Sequence, residues 1–119
     1  MIIKTNILTF LRDGSLSYQS DCYLTIENDC LASISSECFS DSYLDYSHAV
    51  CLPGFIDLHI HLSQINVRGR QAKGLLQWLN DFIFAEEKRA KDPDYATELS
   101  SQFFHSLLSS GTTTAVVYV

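Results

Sequence analysis

Pro53-Gly54-Phe55-Ile56-Asp57-Leu58-His59-Ile60-His61 decides how the chain is read. Pro53-Gly54 interrupts the strand arriving through His48-Ala49-Val50-Cys51, and apolar and polar residues then alternate with the period of two that a strand imposes. Phe55, Asp57, His59 and His61 are therefore expected on one face. Side chains two apart on a strand point the same way, so the imidazoles of His59 and His61 converge, and neutral imidazole is a favoured zinc ligand. Two histidines make only half a site. A catalytic zinc usually takes three protein ligands and an exchangeable water, so the remaining ligands must come from elsewhere.

Downstream, a polar stretch with Arg68, Gly69, Arg70, Lys73 and Gly74 reads as loop. Leu75, Leu76, Leu79, Phe82 and Ile83 then recur at helical spacing and predict a helix from Leu75 to about Lys91. Asp92-Pro93 supplies an N-cap and a first-position proline for a second helix over about 93–110, carried by Tyr95, Leu99, Phe103 and Leu107 and stopped by Gly111. Thr112 to Val119 is β-branched and increasingly apolar, the composition of a strand buried on both faces. Two strands joined through helices form a parallel pair, and such a pair alone leaves both edges unpaired, so further strands are expected after Val119.

Upstream, the chain is rich in Ser, Asp, Tyr and β-branched residues, with turn pairs at Asp13-Gly14, Ser20-Asp21 and Asn28-Asp29. Strands are expected over Ile2 to Leu11, about Cys22 to Glu27, about Cys30 to Ser35, and from His48, the first two joined across Asp13-Gly14. The division falls near residue 50: residues 1–50 carry 2 basic and 7 acidic side chains, and residues 51–119 carry 6 and 7. Of 119 residues 46% are hydrophobic and 18% charged, as in globular proteins, and the net charge of −6 gives no support to nucleic-acid binding. No apolar run approaches the roughly 20 residues a membrane-spanning helix needs, and Met1 to Asn6 lacks signal-peptide features, so a cytoplasmic protein without membrane contact is expected. Cys22, Cys30, Cys38 and Cys51 form no CxxC pair and are expected as reduced thiols.

The run from Pro53 to His61, with a β-rich segment before it and Gly111-Thr112-Thr113-Thr114 after the helices, resembles the first barrel strand of the metal-dependent amidohydrolase superfamily. His61-Leu62-Ser63-Gln64, Leu76-Gln77-Trp78-Leu79, Phe82-Ile83-Phe84, Glu87 and Gly111 to Ala115 narrow the likeness to the guanine deaminase branch over about 50–119. The resemblance implies an α/β fold: strands of a small β-sandwich domain over 1–50, then the first β-α-β portion of a TIM (β/α)8 barrel over 51–119. A whole barrel of this type needs roughly 250 residues, so the sequence reads as an N-terminal portion.

It further implies that His59 and His61 are the first two ligands of one Zn2+ at the C-terminal mouth of the strand, and that Gln64 hydrogen-bonds a purine. The implied reaction is hydrolytic deamination of guanine to xanthine and ammonia by water that zinc acidifies. The other ligands and the acid–base residues are expected beyond Val119, the portion alone is expected to be inactive, and a homodimer is expected of the complete enzyme. Asp57 takes no catalytic role, Trp78 is expected in the core, Arg68 and Arg70 are expected in solvent, and His48 and His105 carry no motif. Two alternatives stay open: an amidohydrolase acting on another cyclic amidine, amide or chloro substrate, and a non-catalytic remnant that binds a partner through its strand edges.

Overall fold

A computed structural model describes residues 1–119, which form two compact units, Met1–Pro53 and Gly54–Val119. The first is a sheet of four strands, β1 (Ile2–Phe10), β2 (Leu16–Glu27), β3 (Cys30–Ser35) and β4 (Leu44–Cys51), in the order β3-β2-β1-β4. β2 runs antiparallel to β1 and β3, while β4 lies parallel to β1. At the β1–β2 connection Gly14 takes φ +83°, and the Asp13 carboxylate accepts from the Ser15 amide at 2.9 Å and the Ser15 hydroxyl at 2.6 Å. Asn28 and Asp29, both at positive φ, make the two-residue β2–β3 turn that the right-handed strand twist favours.

β2 begins at Leu16, well before the expected Cys22, because Ser20-Asp21 is a bulge inside a continuous strand and not a turn. Thr5 pairs with Cys22 and Ile7 with Gln19, which leaves Ser20 and Asp21 opposite Asn6 alone, with Asp21 at φ +53°. Asn6 closes the irregularity from both sides. Its Oδ1 accepts from the Asp21 amide at 3.2 Å, and its Nδ2 donates to the carbonyls of Ser47 and Ala49 on β4, each at 2.9 Å. Ile7, Cys22 and Leu24 form the small buried core with Ile3 against it, and none of the four cysteines is paired.

The second unit pairs β5 (Phe55–His61) with β6 (Thr112–Tyr118) in parallel. Between them lie a 3-10 turn (Ile65–Val67) and the helices α1 (Leu75–Trp78), α2 (Phe84–Arg89) and α3 (Pro93–Ser109). α1 and α2 are joined through a π turn, Leu79–Ile83, in which the Phe84 amide reaches back five residues to the Leu79 carbonyl. The extra residue rotates α2 relative to an uninterrupted α-helix.

The boundaries of α3 follow the sequence closely: the Asp92 carboxylate accepts from the amides of Asp94 and Tyr95, Pro93 opens the helix, and Gly111 follows it at φ +83°. Leu99 and Phe103 on its inner face bury against Ile65, with Ile60, Leu62, Ala90, Tyr95, Leu107 and Val117 around them. Gly54 is required sterically, since a β-carbon there would lie 2.0 Å from Thr113 Oγ1. β6 is not buried on both faces as its composition predicts: Thr113, Thr114, Val116 and Tyr118 are exposed. Its sheet has two strands, and the buried cluster engages β6 through Val117. No helix is long and apolar enough to cross a membrane.

Candidate metal centre

His59 and His61 stand at the C-terminal end of β5 with their Nε2 atoms 3.1 Å apart. Tyr118 pairs with His61 across the parallel ladder, and its ring lies against both imidazoles, with centroids 5.1 Å from His61 and 4.7 Å from His59. Two nitrogens at the 2.0–2.1 Å expected of zinc ligands and 3.1 Å apart subtend roughly 100° at one ion, close to a tetrahedral edge. The donor pair therefore fits a divalent cation of that kind. No cluster of three or more His, Cys, Asp or Glu side chains exists in the chain, so these residues supply two donors only.

The strand that carries them does not alternate cleanly. Asp57 pairs with Ala115 but Ile60 with Val117, so β5 spends three steps where β6 spends two, and the extra residue shifts the faces. Asp57 sits at the start of this irregularity. It lines a cavity of about 220 Å³ together with Ile60, Phe103, Leu107 and Arg68, which His61 borders as well. The Asp57 carboxylate accepts from the His59 amide at 3.0 Å, which secures the bulge directly beside the first histidine.

Gln64, at the entry to the 3-10 turn, reaches both ways: its Nε2 lies 3.3 Å from His61 Nδ1 and donates to Glu87 Oε1 at 3.1 Å. Glu86, beside Glu87 on α2, is buried and accepts from the Tyr95 hydroxyl, from Asn66 and from Arg89, the last at 2.9 Å. Burial pushes the Glu86 carboxyl up, but the bonds from Tyr95, Arg89 and Asn66 prevail and hold its pKa below the usual carboxylate value. Burial and the Glu86 bond together raise the Tyr95 hydroxyl, whose ring sits 4.2 Å beneath the Arg89 guanidinium. The paired carboxylates thus tie α2 to the loop after β5, Glu86 through Asn66 and Glu87 through Gln64.

The remaining candidates fall elsewhere. Trp78 is not part of the buried cluster but donates its indole N–H to the Arg70 carbonyl at 2.9 Å, pinning the loop before α1. Arg68 donates Nε to the Ile65 carbonyl at 3.0 Å and borders the cavity, while Arg70 is exposed. His48 lies in the first unit, its ring 6.1 Å from Tyr46. Two neighbours of the histidines escaped the sequence reading: Tyr118, whose place is set by ladder register, and Glu87 as the partner of Gln64, 23 positions away.

Residues 50–119 match the amidohydrolase family. The chain belongs to that family. Over 74 residues it is 45% identical to the guanine deaminase of Escherichia coli strain K12, covering 62% of this chain and 17% of that protein. The structure aligns with the crystal structure of guanine deaminase from C. acetobutylicum with bound guanine in its active site, at a TM-score of 0.80 and 29% identity, covering 98% of this chain and 29% of that one. Guanine deaminase from Bradyrhizobium japonicum aligns at a TM-score of 0.84 and 26% identity, covering 98% of this chain and 28% of that one. This amidohydrolase chain spans 17% of the length of the curated relative it matches. Its mixed α/β fold is the one found in guanine deaminases, with 98% of the chain aligned to them and the family match falling on residues 50–119.

Proposed function

We propose that the chain is the opening portion of a zinc-dependent guanine deaminase that hydrolyses guanine to xanthine and ammonia, with β5 and β6 as the first strands of a TIM (β/α)8 barrel and residues 1–50 as strands of its small β domain. The observation that carries this reading is the convergence of His59 and His61 Nε2 at 3.1 Å beside Gln64, in a chain that aligns with guanine deaminases along 98% of its length. His59 and His61 hold the ion. When bound, zinc supplies water acidified enough to serve as a nucleophile near neutral pH. Tyr118 packs on both imidazoles and restricts their rotation, and Gln64 offers an amide edge to the purine. With two donors in place, the 119 residues alone hold the ion weakly and do not turn over guanine; further ligands and the acid–base groups come from additional chain. The reading is that of a cytoplasmic enzyme acting on the free base, assembled as a homodimer in its complete form.

The test is turnover by the protein as its gene makes it, purified with and without Zn2+. The reading expects guanine to xanthine conversion that a chelator abolishes and zinc restores, and that His59→Ala or His61→Ala lowers by at least about a thousandfold. Zinc-loaded protein that deaminates another cyclic amidine and leaves guanine untouched, or that deaminates nothing, contradicts it.

A further inference from the structure

The Gln64 side chain is held by partners of unequal character. A carboxylate can only accept, so the amide atom facing Glu87 Oε1 at 3.1 Å must be the NH2 group. Its other hydrogen faces His61 Nδ1 at 3.3 Å, a ring nitrogen that accepts or donates according to tautomer. The charge-assisted bond to Glu87 is the stronger of the two and decides the orientation. Among residues 1–119 the Oε1 of Gln64 has no hydrogen-bond partner, and since no buried polar side-chain atom lacks one, that oxygen is accessible here. The π turn is what brings Glu87 to this position. It adds a residue before α2, so that Glu86 reaches Asn66 and Glu87 reaches Gln64, both on the loop after β5.

We propose that Glu87 is a positioning residue that sets specificity: it fixes the Gln64 amide with its carbonyl oxygen as the atom left to a ligand, so the site selects heterocycles that present a ring N–H donor there. The inference rests on the proposed purine chemistry for the nature of the ligand, but the Glu87–Gln64 bond itself does not. Glu87→Gln keeps the size and removes the constraint, because an amide at 87 satisfies Gln64 in either orientation. Glu87→Asp keeps the charge on a shorter stem.

Two readouts separate the parts. In the nitrogen-15 spectrum of the protein as its gene makes it, the Gln64 side-chain NH2 is expected to exchange slowly with water, to lose at least about tenfold of that protection in Glu87→Gln, and to recover part of it in Glu87→Asp. Unaltered protection in Glu87→Gln, with the backbone spectrum showing an intact fold, overturns the proposal. The second readout is binding of guanine against 1-, 7- and 9-methylguanine, each of which replaces one ring N–H. Methylation at the nitrogen facing Gln64 is expected to weaken binding at least about tenfold more in the wild type than in Glu87→Gln, since steric loss is common to both proteins. Equal losses in both at all three positions overturn the specificity claim. If the wild type binds no guanine at all, the purine reading fails, while the amide spectrum still decides whether Glu87 holds Gln64.

Discussion

The two units of the chain use backbone irregularity for different ends. In Met1–Pro53 the bulge at Ser20-Asp21 is closed by Asn6, whose amide binds β2 on one side and β4 on the other, and the result is a longer sheet. In Gly54–Val119 the bulge in β5 turns Asp57 toward the α3 side and leaves His59 and His61 together at the strand end, and the π turn aims Glu87 at Gln64. Local polar bonds repair the first irregularity. The second is secured by the Asp57 carboxylate on the His59 amide, while Tyr118 lies against both imidazoles and Glu87 holds Gln64, so groups with metal-binding and ligand-binding chemistry stand beside it. A bulge in sequence therefore tells little about purpose until its hydrogen-bond partners are known.

The largest effect expected to break the contrast is steric. Gly54→Val places a β-carbon 2.0 Å from Thr113 Oγ1, and should destabilise the β5–β6 pair by about 3 kcal/mol or more, read by denaturant unfolding and by loss of the Phe55 amide bond to Gly111. Gly14→Ala in the first unit meets nothing within 4 Å and bears only the strain of φ +83°, about 1 kcal/mol. Equal losses at the two glycines would remove the distinction.

Next is Glu86, whose replacement by Ala leaves Tyr95, Asn66 and Arg89 without their shared acceptor and should cost about 2 kcal/mol. Its folded pKa is depressed, so its contribution is present in full above the unfolded carboxylate pKa and is lost as pH falls through the folded one. The wild type should therefore lose stability on acidification below the ordinary glutamate range, and Glu86→Gln should flatten that part of the profile. A parallel pH profile for the variant would contradict the role given to this carboxylate. Smallest is Asn6→Ala in the first unit. It removes three bonds at a half-buried site and should cost about 1–2 kcal/mol, with hydrogen exchange accelerated at Asp21 and with the nitrogen-15 histidine signals of His59 and His61 unmoved.

Much of the second unit is written in local signals. The ends of α3 follow from Asp92-Pro93 and Gly111, because capping chemistry is carried by the residues at the boundary. The convergence of His59 and His61 follows from strand periodicity at the end of β5, although the register of that strand against β6 shifts between Asp57 and Ile60. Such a bulge leaves no mark in apolar alternation, which remains regular through Ile56, Leu58 and Ile60. Ser20-Asp21 misled for the opposite reason: residues that favour turns also tolerate the positive φ of a bulge, and only the facing Asn6 distinguishes the two. The π turn and the Gln64–Glu87 bond were illegible because they depend on how α2 meets the loop after β5, a contact spanning 23 positions.

The central claim is that His59 and His61 are two ligands of one ion, and nitrogen-15 spectroscopy of the histidine rings during Zn2+ titration tests it most directly. The account predicts that the Nε2 signals of His59 and His61 move together and saturate at the same zinc concentration, while those of His48 and His105 stay in place. Independent titration of the two rings, or movement of only one of them, would contradict it.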